Sequence, residues 1–167
     1  MPAETGDKSS GTLVASNRRA RHDYFVDESL EAGLVLAQKW AERKRRILII
    51  TPANLRKQWQ QEMQEKFFLP AALLETRLYN EARKRSAANP FEATDTILIC
   101  SYQFARAKAR DVQSVRWDLV ILDEAHRLRN VYKSSNIIAN TLKTALHSAP
   151  KLLLTATPLQ NSLLELY

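Results

Sequence analysis

Glycine is scarce in this chain, at three of 167 residues: Gly6, Gly11 and Gly33. A phosphate-cradling loop of the form Gly-x-x-x-x-Gly-Lys-Ser/Thr needs glycine-flanked backbone amides that wrap the anion before a helix begins. No glycine here stands beside a lysine-threonine pair. Gly6-Asp7-Lys8-Ser9 imitates such a loop, but one residue separates its glycine from its lysine, no glycine precedes it and no strand leads in. The single cysteine, Cys100, excludes an internal disulfide and a cysteine-based zinc site. Three histidines, His22, His126 and His147, give little support to a dedicated metal cluster. No segment approaches the ~18 to 20 consecutive apolar residues of a membrane span, and the amino terminus lacks the apolar core of a signal peptide. A cytoplasmic location is therefore expected. Acidic residues are outnumbered, 18 against 25 basic, and the net charge of +7 suits an anionic partner such as nucleic acid. Solvated lysine-rich faces would produce the same balance.

What remains is ordinary for a folded domain: 45% apolar and 26% charged residues, in a chain long enough for one core. Residues 1–22 are polar and aperiodic, with a basic cluster at Arg18, Arg19 and Arg21, and are expected to form a flexible basic tail. Residues 23–167 then form the domain. Leu30, Leu34, Ala37 and Ala41 fall at helical spacing, which predicts a helix from Ser29 to Arg43, closed by Arg43-Lys44-Arg45-Arg46 at its negative dipole end. Inside it, Gly33 costs about 1 kcal/mol relative to alanine. Short apolar runs near residues 47, 97, 119 and 152 predict buried strands. Leu55, Trp59, Met63 and Phe67, spaced by four, predict a helix with Trp59 in the core. Weak strand character at 73–79, a short basic helix at 80–88, a loop at 87–90, a helix from Phe104 with Arg106, Lys108 and Arg110 exposed, and a helix over 134–147 complete the pattern. Strands separated by helices indicate a parallel α/β sheet with helices on both faces.

The chain is organised around Leu119-Val120-Ile121-Leu122-Asp123-Glu124-Ala125-His126. An apolar strand runs directly into two carboxylates, at the carboxyl end where open α/β sheets bind ligands. Asp123 can hold a hydrated Mg2+, and Glu124 can orient and deprotonate a water.

Asp123-Glu124-Ala125-His126 resembles the acidic (DEAH) box of the superfamily-two helicases. Leu152-Leu153-Leu154-Thr155-Ala156-Thr157-Pro158-Leu159-Gln160-Asn161 resembles a box of the Swi/Snf branch of that group, the ATP-driven DNA translocases that include the bacterial RNA-polymerase-recycling type. The likeness spans roughly Tyr24 to Tyr167. It implies a RecA-like first ATPase lobe, incomplete and without its second lobe, with ATP and Mg2+ as cofactors. It implies Asp123 and Glu124 as the catalytic pair, Asp123 holding the Mg2+, and His126, Thr155 and Thr157 as coupling residues. Thr51, Arg56, Ser101 and Tyr102 match the boxes that touch DNA. Double-stranded DNA is the implied partner, with RNA polymerase or another DNA-bound complex beside it and no membrane. One departure matters. The family follows an Asp-Glu pair with Gly-x-Gly-Lys-Thr, whereas Asp27-Glu28 here runs straight into Ser29-Leu30-Glu31-Ala32-Gly33-Leu34. Without amides, lysine and hydroxyl to hold the phosphates, hydrolysis by this chain alone is not expected. The alternative is a non-catalytic lobe that binds DNA or a protein.

Overall fold

The computed structural model describes residues 13–16, 28–128 and 137–155. Six strands form one all-parallel sheet: β1 (Leu13–Ser16), β2 (Ile47–Thr51), β3 (Ala71–Leu73), β4 (Ile97–Ser101), β5 (Leu119–Leu122) and β6 (Lys151–Thr155). Their spatial order is β1-β6-β5-β2-β4-β3. The four apolar runs became β2, β4, β5 and β6, and every residue of these strands is buried. Such burial on both faces is what an all-parallel sheet imposes.

Six helices cover it: α1 (Glu28–Ala41), α2 (Arg56–Lys66), α3 (Thr76–Arg85), α4 (Tyr102–Ala107), α5 (Ala109–Gln113) and α6 (Ile137–Ala145). Alternation along each strand splits the core in two. Ile47, Ile49, Ile97, Ile99, Ile121 and Leu154 pack with Ala32 and Leu36 of α1 and Trp59 and Met63 of α2. Leu48, Ile50, Cys100, Val120 and Leu153 pack on the other face with residues of α3 to α6. There Phe91, wholly buried, is ringed by Tyr79, Phe104 and Trp117 at centroid distances of 6.1–6.2 Å.

Several boundaries differ from expectation. Leu13–Ser16, inside the stretch expected to be a flexible tail, pairs with β6 as the edge strand β1. The strand expected at 73–79 ends at Leu73; Leu74 N–H still donates to the Ile99 carbonyl at 2.8 Å, and Glu75, extended, then starts α3. The helix expected from Ser29 to Arg43 ends two residues early. Arg43 takes a left-handed φ of 62°, and Lys44 N–H donates to the Lys39 carbonyl at 3.0 Å to close the end. Scarcity of glycine shows here. Among the described residues the left-handed positions are Arg43, Phe68 and Glu124, and none is glycine. Gly33 serves another purpose: a Cβ there would sit 2.0 Å from the Phe67 ring, so the glycine lets that ring lie against α1. Residues 1–12, with the false phosphate loop, and the start of the helix expected at 134 lie outside the described residues.

Burial of Cys100 in β4 pushes its thiol pKa up from 9.0 to about 12. Between those values the unfolded chain releases a proton that the folded chain keeps, so this group favours unfolding as pH rises and is silent below 9. Relative to Cys100→Ala, the unsubstituted protein should lose about 1.4 kcal/mol of stability per pH unit through that window. Urea denaturation at stepped alkaline pH measures it, and parallel profiles for the two proteins would refute it.

Candidate functional site

The site lies where the chain reverses direction across the sheet. β2 and β5 are neighbours, yet the chain leaving β2 enters α2 on one face, while the chain leaving β5 leads to α6 on the other. Such a divergence marks the carboxyl edge where ligands bind in open α/β sheets. Asp123 stands there, directly after β5. Its backbone N–H donates to the Ile50 carbonyl at 2.9 Å, extending the β2–β5 ladder by one residue.

The Asp123 carboxylate is already engaged. Oδ2 accepts from the Thr51 hydroxyl at 2.7 Å and from the Trp59 indole N–H at 2.8 Å. Thr51 ends β2, and Trp59 lies in the first turn of the following helix, so the β2–α2 turn delivers both donors to one oxygen. Tyr102, first residue of α4, donates its hydroxyl to the Asp123 carbonyl at 2.6 Å. Glu124 adopts a left-handed φ of 52° and its carboxylate reaches His126 Nδ1 at 2.9 Å. The Thr155 hydroxyl, at the end of β6, lies 3.4 Å from the same nitrogen. Asp123, Glu124, His126 and Thr155 are thus brought together on one edge, while Thr157 lies outside the described residues.

Of the four residues matched to nucleic acid, three turn inward. Thr51 is fully buried on Asp123, Tyr102 is buried, and Ser101 is buried with its hydroxyl accepting from Phe104 N–H as the cap of α4. Strand-end hydroxyls sit among unpaired backbone and carboxylate groups, which claim them first. Arg56 stays partly exposed, with its guanidinium on Glu75 at 3.0 Å and on the Ala53 carbonyl at 3.0 Å. Trp59 is in the core as expected, but its polar role escaped the sequence reading. A buried indole needs an acceptor, and that requirement was the available signal.

Charge is distributed unevenly between the faces. α3 to α6, with Lys108, carry eight basic residues against two acidic ones, Glu81 and Asp111. α1 and α2 carry four of each. Arg83, Lys84 and Arg85 end α3, and Lys108 Nζ lies 4.3 Å over the Tyr79 ring between α4 and α5.

A magnesium-nucleotide group would need Asp123 free for the cation and a loop for the phosphates. The residues present do not fit it. One carboxylate oxygen is saturated by two side-chain donors, no group of three or more potential metal ligands occurs among the described residues, and the chain has no Gly-x-Gly-Lys-Thr sequence.

A parallel sheet with an acid-histidine box at its switch point defines the chain as a RecA-like lobe of the helicase type, the first of the two in such a core. It belongs to the SNF2-related domain family, which matches residues 15–167. The RNA polymerase-associated protein RapA of Pectobacterium carotovorum is 38% identical over 81% of the chain, and that of Serratia proteamaculans is 36% identical over the same share. In each case the chain spans only 14% of the relative's length. The Sulfolobus solfataricus SWI2/SNF2 ATPase core, solved in complex with double-stranded DNA, superposes with a TM-score of 0.61 at 20% identity. That match covers 83% of this chain and 27% of the other. No helix of the described residues is long and apolar enough to cross a membrane.

Proposed function

We propose that this chain is a Swi/Snf-type translocase lobe that binds duplex DNA in the cytoplasm without binding or hydrolysing ATP on its own. The observation that carries the proposal is the Asp123 carboxylate, held by Thr51 and Trp59 in a chain that lacks the phosphate loop. In a complete relative, two lobes enclosing ATP and Mg2+ would move along DNA, and Glu124 would activate the attacking water. Here Glu124 is turned to His126, and the sequence has no Gly-x-Gly-Lys-Thr loop to hold the phosphates beside it. The basic α3–α6 face supplies the affinity for a phosphate backbone, which positions a protein without reading sequence. A DNA-bound RNA polymerase is the protein partner that the RapA relatives suggest.

Titration with a fluorescent ATP analogue, with and without Mg2+, tests the nucleotide part. No saturable binding is expected up to about 1 mM, equivalent to less than ~4 kcal/mol of affinity. Micromolar, Mg2+-dependent binding that weakens on Asp123→Ala would show the site to be competent.

A further inference from the structure

We propose that Asp123 works in this chain as the anchor of a clasp that holds the carboxyl edge of the sheet closed in the absence of nucleotide. Its Oδ2 is committed to the Thr51 hydroxyl and the Trp59 indole. The proposal rests on the nucleotide-free reading above and deepens it. It says what the acidic residue does once nucleotide binding is gone.

Four hydrogen bonds converge on this one residue. They tie the end of β2 through Thr51, the first turn of α2 through Trp59, the start of α4 through Tyr102, and the β2 backbone through Ile50. Oδ2 receives two donors without a cation. A carboxylate only accepts, whereas the threonine hydroxyl and the indole each bring one proton. Bonds to an ionised acceptor are the stronger kind, and both are short. For Mg2+ to replace them, an indole that is 4% exposed would have to leave its place beside Met63 and Ile49 or lose its only kind of polar bond. A hydrated Mg2+ dehydrates reluctantly and typically relies on substrate phosphates for part of its shell. In a chain with no loop for those phosphates, the internal donors win.

The indole itself reports the clasp. Three tryptophans, Trp40, Trp59 and Trp117, give three indole N–H signals in the proton–nitrogen correlation spectrum of the full chain, and Trp59→Phe assigns the relevant one. Asp123→Asn, which keeps an acceptor oxygen but removes its charge, is expected to move the Trp59 signal. The Trp117 signal, bonded to the Val112 carbonyl, should stay in place. Mg2+ alone, up to about 10 mM, should leave the Trp59 signal unmoved. Asp123→Ala should shift the folding equilibrium towards the unfolded chain by at least about tenfold, with Asp123→Asn recovering part of the loss. If Asp123→Ala does not fold at all, the asparagine spectrum carries the test. A Trp59 signal indifferent to Asp123→Asn, or one that moves saturably with Mg2+, would overturn the clasp. Either result leaves the ATP titration to judge the nucleotide-free reading separately.

Discussion

Phe91→Ala is expected to cost about 3–5 kcal/mol of stability, the range for removing a large aromatic side chain from a core. Phe91 has no exposed surface and stands at the centre of Tyr79, Phe104 and Trp117. It is presented by a short 3-10 turn, Pro90–Glu92, whose start is fixed by the Asn89 side chain accepting from Phe91 N–H at 3.0 Å. Asn89 in turn donates to the Asp111 carbonyl at 2.8 Å. The surrounding rings come from three separate segments, so they cannot collapse together into the cavity without moving α3, α4 and the approach to β5. Domains are stable by only about 5–15 kcal/mol in all, so this one ring accounts for a large part. Urea denaturation measures it, with Phe68→Ala as the comparison. Phe68 is 86% exposed, and its truncation should change stability by less than about 0.5 kcal/mol. Comparable losses for the two variants would contradict this picture of the core.

Reversing Lys84, Arg85 and Arg110 to glutamate should weaken binding to duplex DNA by more than about a hundredfold at low salt. All three are exposed on the basic face, and each reversal both removes a phosphate contact and adds a repulsion. The informative quantity is the salt slope. Each phosphate contact contributes about 0.9 to the dependence of log K on log salt, so losing three should flatten the slope by roughly 3. Lys39→Glu with Lys66→Glu, on the balanced face, is the control. Fluorescence anisotropy across a salt series reads both quantities. Equal losses per reversed residue in the two sets would mean that net charge alone governs binding and would refute a role for the α3–α6 face.

Much of the scaffold was legible because buried parallel strands leave a strong signal. The runs at Ile47, Ile97, Leu119 and Lys151 became strands within a residue of where the apolar pattern put them. β1 was not legible. Leu13-Val14-Ala15-Ser16 is too short for periodicity, and only the open edge of β6 gives it a place. β3 was misjudged by a few residues: it covers Ala71–Leu73, and the residues after Leu74 that were read as strand begin α3 instead. At the site, the grouping of Asp123 with Glu124, His126 and Thr155 could be expected from the boxes. Thr51 and Trp59 could not. Their role depends on β2 and β5 being neighbours while the chain after each departs to opposite faces, and that adjacency is a property of strand order, which no local pattern encodes.

Strand order also dictates how this lobe must be made on the ribosome. Among the described residues β1 (Leu13–Ser16) pairs with β6 (Lys151–Thr155) alone, so every other strand of the sheet is made between the two. At ordinary translation speeds the two are synthesised on the order of ten seconds apart. Throughout that interval β1 has no ladder to join, and from its own synthesis until β6 arrives β5, buried on both faces in the finished sheet, has one unpaired edge. Closure of the sheet is thus a late, long-range event with a high loop-closure cost. A nascent chain paused before Lys151 would present an aggregation-prone edge, and a holding chaperone would have its greatest effect there.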